Sequence, residues 1–344
     1  MKKLLGAGAA IALAATLTAC STAAPGTTPE TGTDVPAAPA DGAFPVTIEH
    51  ALGTTVIESK PERVAAIGWA NNEVPLALGI VPVGMAAVAW GDDDGDGVLP
   101  WVEDELAELG AETPVLFDEA DGIDFEAVAE TEPDVILAAY SGLTPEEYAT
   151  LSEIAPVVAY PEVPWGTTLA DIVLLNSKAL GLEAEGEALL ADLNAEIQAE
   201  AAKHPQLAGK KVAFSWFEDT ASIGFYTTHD PRANFFPNFG MEIPQLVLDQ
   251  SAASDSFYGS ISAEQVDLAS DIDIMVAYGT QEAYEAAKAD PLLSRIPAIA
   301  NDAVVLLSYD GDPFASSTNP SPLSVHWGIA DYIAQLAEAA DKVQ

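Results

Sequence analysis

Past residue 60 the chain falls into short runs of two alternating kinds. Apolar, β-favouring runs predict strands at Val64–Trp69, Val81–Met85, Pro114–Phe117, Asp134–Ala139 and Val157–Tyr160. Between them, helix-like spacing of apolar positions predicts helices at Asn72–Leu78, Trp101–Leu109, Asp124–Glu130 and Thr144–Ile154. The second half repeats the style, with strands at Val212–Phe217, Ile272–Ala277 and Val304–Ser308. Its helices are expected at Ser262–Ala269, Gln281–Ala289 and Ser324–Glu338. Strands alternating with helices of this length are βα units, so the fold class is α/β with mainly parallel sheets.

Glu183 to His204 breaks that rhythm. It lacks proline, and Leu189, Leu193 and Ile197 recur every four residues on one helical face. About 20 residues at 1.5 Å each reach ~30 Å. A surface helix fits the same periodicity, and so does a strut between two domains. An internal echo favours the strut. Asp124-Phe-Glu-Ala-Val128 aligns on Ser262-Ala-Glu-Gln-Val266, and at the same offset Ile136–Tyr140 falls on Ile274–Tyr278. Chance produces such matches in Ala-rich sequence; the alternative is two related lobes, 45–182 and 206–344, joined through 183–205. Ligands of open α/β sheets bind beyond the carboxyl ends of the strands, where Tyr140 and Tyr278 would stand. The bland reading leaves each tyrosine at a strand end with its hydroxyl in water.

The amino terminus reads as an export signal spanning residues 1–19. Lys2 and Lys3 precede an uncharged apolar stretch from Leu4 to Ala19, short of the ~20 residues a membrane-spanning helix needs. Leu17-Thr18-Ala19-Cys20 resembles a bacterial lipobox, and Cys20 is the only cysteine in the sequence. Lipid on Cys20 would place the protein on the outer face of the cytoplasmic membrane, with the anchor as its one membrane contact. Residues 20–44, rich in Thr, Pro, Ala and Gly, read as a disordered tether.

Charge narrows the partners. Without Lys2 and Lys3, 10 Lys and Arg face 54 Asp and Glu, a formal charge of −44. Nucleic acid and bare anionic lipid are poor partners for such a surface. A neutral or cationic ligand suits it better than a strongly anionic one, although a cleft has its own local potential.

Several segments together resemble the siderophore-type (class III, FhuD/FepB-like) periplasmic binding proteins. They are Pro61-Glu-Arg-Val64, Leu78-Gly-Ile-Val-Pro-Val-Gly84, Phe125–Ile136, Leu151–Pro156, Ser262–Val266 and Ser321-Pro-Leu-Ser324. Trp69, Gly97–Trp101 and Ser141–Pro145 look closest to the actinobacterial iron-siderophore branch. The resemblance implies two Rossmann-like lobes joined by one rigid helix, with a ferric siderophore in the cleft between them. It implies an ABC permease dimer with its ATPase as partner, a monomeric carrier with no required cofactor, and no catalysis. By motif position, Glu126 and Glu264 would be the glutamates that pair with permease arginines. First-turn acids also complement a helix dipole by ~0.3–1 kcal/mol, so capping alone explains them equally simply.

Siderophore pockets grip the chelate's outer shell with aromatic walls. The aromatic candidates are Trp69, Trp90, Tyr140, Trp165, Trp216, Tyr226, Tyr278 and Tyr309. Arg232 is the one arginine between Arg63 and Arg295, and its fork suits hydroxamate or carboxylate oxygens. So few cations favour a ferric hydroxamate over a ferric tris-catecholate. Asp92, Asp94, Asp96 and Glu103 with Gly97 match a twelve-residue calcium-loop spacing, although Pro100 and the lack of a preceding helix depart from that pattern. Two alternatives stay open: a haem or cobalamin carrier of the same fold, and an extracellular hydrolase. The latter has no Gly-x-Ser-x-Gly elbow, P-loop or His-Glu-x-x-His to rest on.

Overall fold

The structure, a computed structural model, describes residues 44–217, 220–309 and 311–343. The signal segment, Cys20 and the tether as far as residue 43 lie outside the described residues. The described chain opens with a hairpin that the sequence reading lacked. In it β1 (Val46–His50) pairs antiparallel with β2 (Gly53–Ile57). Alternate residues Ile48, His50, Thr55 and Ile57 turn inward, as a period of two requires.

The first lobe follows as β3 (Val64–Ala66), α1 (Glu73–Ala77), β4 (Gly84–Ala86), α2 (Pro100–Glu108), β5 (Val115–Phe117), α3 (Phe125–Glu130), β6 (Val135–Leu137), α4 (Pro145–Ser152) and β7 (Val157–Val158). Its five strands are all parallel, in the order β5-β4-β3-β6-β7. Two helices come next, α5 (Leu169–Ala179) and α6 (Glu183–Ala201). The second lobe comprises β8 (Val212–Trp216), β9 (Ser222–Tyr226), α7 (Pro231–Phe235), α8 (Gln245–Ala253), β10 (Tyr258–Ser262), β11 (Ile274–Tyr278), α9 (Gln281–Ala289), α10 (Pro297–Ala300), β12 (Val304–Leu307), α11 (Pro313–Ser317) and α12 (Pro322–Ala340). Its sheet is β10-β9-β8-β11-β12. There β8, β11 and β12 run parallel, and β9 runs antiparallel to both neighbours.

Matched places carry the echo. β6 lies between β3 and β7, and β11 lies between β8 and β12. The element before β11 departs from the expected α-helix: Ala263–Ala269 is a 3-10 stretch kinked at Gln265. Ser262 accepts the Glu264 N–H instead of closing a capping box with Gln265.

Each sheet buries both faces. Val64 and Ala66 face the central core, while Ala65 and Ile67 face an outer cluster with Phe117, Val128 and Leu151. The second sheet divides likewise, with Phe225, Met275 and Tyr284 on its outer side. Fully burying a side chain such as Phe117 or Phe214 contributes roughly 1.5–3 kcal/mol. The central core runs without a break from Leu137 of the first lobe to Phe214 and Val276 of the second.

α6 lies between the two sheets in chain order and contains no proline. Gly186 lets it approach α5 closely, since a Cβ there would collide with the Ser177 side chain. α6 does not act alone, because α12 packs on α6, α1 and α2 as well as on β11 and β12. Glu73 of α1 fixes that second bridge. It is fully buried, takes the Trp101 Nε1–H at 2.8 Å, and takes the Leu323 N–H in the first turn of α12 at 2.9 Å. Burial pushes its pKa up, against the hydrogen bonds that favour the ionised form.

Candidate functional site

In both lobes the chain reverses its direction of winding between two adjacent strands, β3 and β6 in one, β8 and β11 in the other. Crevices open beyond the carboxyl ends of such strand pairs. Each crevice is clasped by one backbone bond. Trp69 N donates to Tyr140 O at 3.1 Å, and Phe217 N donates to Tyr278 O at 2.8 Å. The tyrosine hydroxyls do not end in water. Tyr140 Oη and Asn319 Nδ2 are 3.2 Å apart, while Tyr278 Oη sits 3.4 Å from Ala315 O and from Thr318 Oγ1. Both tyrosines therefore hold one segment, residues 315–319, at the junction of the lobes.

All nine ligand-site candidates converge here. Trp69 meets Trp90 at 5.3 Å between ring centres, and Trp90 meets Tyr278 at 5.5 Å and Tyr309 at 5.9 Å. Trp216 meets Tyr309 at a tilt with ring centres 4.7 Å apart, and Tyr226 lies 6.3 Å from Tyr278. On the other side Tyr140 meets Trp165 edge to face at 5.7 Å. The structure separates their duties. Tyr278 is fully buried and braces the wall from behind, whereas Trp165 and Tyr309 are 37% and 48% exposed. Trp90 Nε1–H is buried with no hydrogen-bond partner among the described residues, a costly state that an acceptor at the wall would relieve.

Arg232 lies over this aromatic floor. Its Cζ is 4.0 Å from the centre of the Tyr226 ring and 5.8 Å from those of Phe214 and Tyr278. Asp230, fully buried, grips it through Nε at 2.8 Å and Nη2 at 2.6 Å, and also accepts the Arg232 backbone N–H at 2.9 Å. Burial opposes the charge, but Asp230 outweighs it and holds the guanidinium pKa above its ordinary value. Trp69, Tyr140, Trp165, Arg232, Phe257 and Asn319 line a cavity of about 200 Å³. Sequence reasoning missed Asp230, Phe257 and Asn319. The Asp-Pro step before Arg232 was a usable sign, since an Asp capping a helix two residues ahead of an arginine can reach it.

The other candidates stand apart. Glu126 and Glu264 are exposed in the first turns behind their caps. Asp92, Asp94 and Asp96 bring one carboxylate oxygen each within 4.8 Å of the others. Burial pushes the Asp92 pKa up, but the N–H donors of Gly97, Gly95 and Asp94 together outweigh it and hold the pKa low. Glu103 falls outside that trio. Desolvation and the charges of Asp96 and Asp94 push its pKa up.

No described helix is long and apolar enough to cross a membrane. A family model for periplasmic binding proteins matches residues 64–310. The crystal structure of PiaA from Streptococcus pneumoniae TIGR4 in complex with ferrichrome is 43% identical. It superposes with a TM-score of 0.83 over 87% of this chain and 100% of that one. A periplasmic solute binding protein from Mycobacterium smegmatis is 25% identical, with a TM-score of 0.69 over 86% of this chain and 98% of its own. Among curated proteins, the probable siderophore-binding lipoprotein YfiY of Bacillus subtilis is 29% identical over 190 residues. That match covers 54% of this chain and 54% of the relative, so the chain spans about half the length of the curated protein it matches.

Proposed function

The chain belongs to the periplasmic binding protein family, and we propose that it is the extracytoplasmic substrate-binding component of an ABC importer for a ferric siderophore, with a hydroxamate favoured over a catecholate. One observation carries the reading: a cavity at the paired crevices where aromatic side chains stand with a single cation, Arg232. An iron already saturated by its chelator needs no protein ligand. It needs apolar faces for the chelate's shell and a donor for its oxygens. Trp69 and Trp165 supply the faces; Arg232 and Asn319 supply the donors. A tris-catecholate, strongly anionic, would meet one guanidinium already paired with Asp230. The likeness to PiaA, whose structure holds ferrichrome, supports the same ligand class. Isothermal titration with a ferric trihydroxamate should give saturable single-site binding, tighter than that of a ferric tris-catecholate. The reverse order would overturn the preference.

Three further assignments belong to this reading. Cys20 carries the lipid that holds the protein at the membrane, beyond the tether. Glu126 and Glu264, exposed at matched places on the two lobes, dock the carrier on arginines of the permease dimer. Asp92, Asp94 and Asp96, with Glu103 nearby, take one calcium ion, supported by the convergence of three carboxylates. Saturating calcium should raise the melting temperature by a few degrees through preferential binding to the folded state. An unchanged melting curve would remove the calcium assignment alone.

A further inference from the structure

The first lobe has a second cavity, of about 150 Å³, and Trp165 is a wall of both. Its other lining includes Gly68, Ser141, Leu143, Glu119 and Glu147. It opens beyond β3, β5 and β6, beside the crevice already described. Trp165 holds its place through its own backbone, with φ +59° and its N–H donated to Ser141 O at 2.9 Å. Gly142 leaves room for the indole, since a Cβ there would strike the Trp165 ring nitrogen.

Glu119 is the unusual member. Its two carboxylate oxygens lie 3.3 and 3.1 Å from one donor, the Gly68 N–H. A carboxylate can accept about four hydrogen bonds. No Lys, Arg or His among the described residues forms an ion pair with it. Glu147 is the other titratable side chain on the cavity, and it is committed to Thr144 in the capping box of α4. A desolvated carboxylate with spare acceptor capacity beside an indole face is completed by a donor that brings positive charge. The annex is smaller than the main cavity and continuous with the same indole wall, so it suits an arm of a ligand held there.

We propose that this annex is a ligand subsite that receives a primary ammonium arm projecting from a chelate held in the main cleft, with Glu119 as its counter-charge. The inference rests on the reading that a ferric hydroxamate occupies the cleft. It adds an orientation. Glu119 attracts an ammonium on one side of Trp165, whereas the guanidinium on the other side is already paired with Asp230, so an asymmetric chelate enters one way round.

Burial, aided by Glu147, pushes the Glu119 pKa up to about 7, against the Gly68 N–H. An ammonium ion stabilises the ionised form, so its capture releases a proton and strengthens as pH rises through that value.

The test uses the full chain in detergent and two probes: a ferric trihydroxamate bearing a free primary ammonium arm, and the same chelate N-acetylated on that arm. The wild type should prefer the ammonium form by about tenfold at pH 8, the scale of one charge-assisted hydrogen bond. In E119Q the ratio should fall toward unity. Should E119Q not fold, the wild-type ratio decides, because it must shrink between pH 8 and pH 6. A ratio near unity in the wild type, or one unchanged in E119Q, overturns the subsite while the cleft reading stands. Failure of both chelates to bind overturns the cleft reading, and the subsite with it.

Discussion

The two lobes share a plan and differ in what they bring to the junction. β6 and β11 hold the same place in their sheets, each leads to a tyrosine, and both hydroxyls reach residues 315–319. The first lobe stays all-parallel and contributes acid: Glu119 at the rim, Glu73 in the core. The second replaces one flank with the antiparallel pair β9–β10 and contributes Arg232 with the three rings beneath it, Phe214, Tyr226 and Tyr278. Tyr226 ends β9, Tyr258 begins β10, and the two rings lie 5.4 Å apart. Repeated topology fixes where a crevice opens. The strand that departs from the repeat brings Tyr226 beneath Arg232.

The largest expected effect tests what the lobes hold in common. Reversing both proposed docking charges, E126K with E264K, should reduce uptake to background while chelate affinity stays within about twofold, since exposed charges contribute little within the protein itself. Transport assays with the double variant would refute equivalence if uptake were intact. The next effect belongs to the second lobe. R232A leaves Asp230 buried without its partner, and breaking a buried pair costs about 3–5 kcal/mol of stability. Denaturant unfolding should also show D230N/R232M regaining much of that loss without regaining chelate affinity. Recovery of both would make Arg232 structural only.

The smallest effect sharpens the first lobe's part. Glu119 has its folded-state pKa raised from 4.5 to about 7, so between those values the folded protein holds more protons than the unfolded chain. Stability from this group is present below the lower value and lost as pH rises through the upper one. Melting temperatures from pH 5 to pH 8 should therefore fall less in E119Q than in the wild type. Equal slopes would place Glu119 in water.

The βα repeats were legible because buried parallel strands are apolar runs and their helices carry caps. Val212–Trp216 and Gln281–Ala289 fall where the pattern puts them. The pair β9–β10 was not legible, because Tyr-Gly-Ser-Ile-Ser has neither an apolar run nor a clean alternation. Some of the nine candidates stood out as aromatics at the ends of expected strands, and Arg232 as a solitary arginine. Glu119 could not: in Phe117-Asp-Glu-Ala-Asp-Gly122 it is one acid among several, and only the fold brings it to Gly68. Glu73 was equally hidden, since its donors Trp101 and Leu323 are remote in the chain.

If two unlike walls hold one iron chelate between them, the metal has one expected position. Anomalous diffraction at the iron edge, from crystals grown with a ferric trihydroxamate, locates the metal directly. The iron peak is expected in the cavity bounded by Trp69, Trp165 and Arg232, with no protein atom coordinating it. A peak at the Asp92–Asp96 loop, or one bonded to protein oxygens or nitrogens, would contradict it.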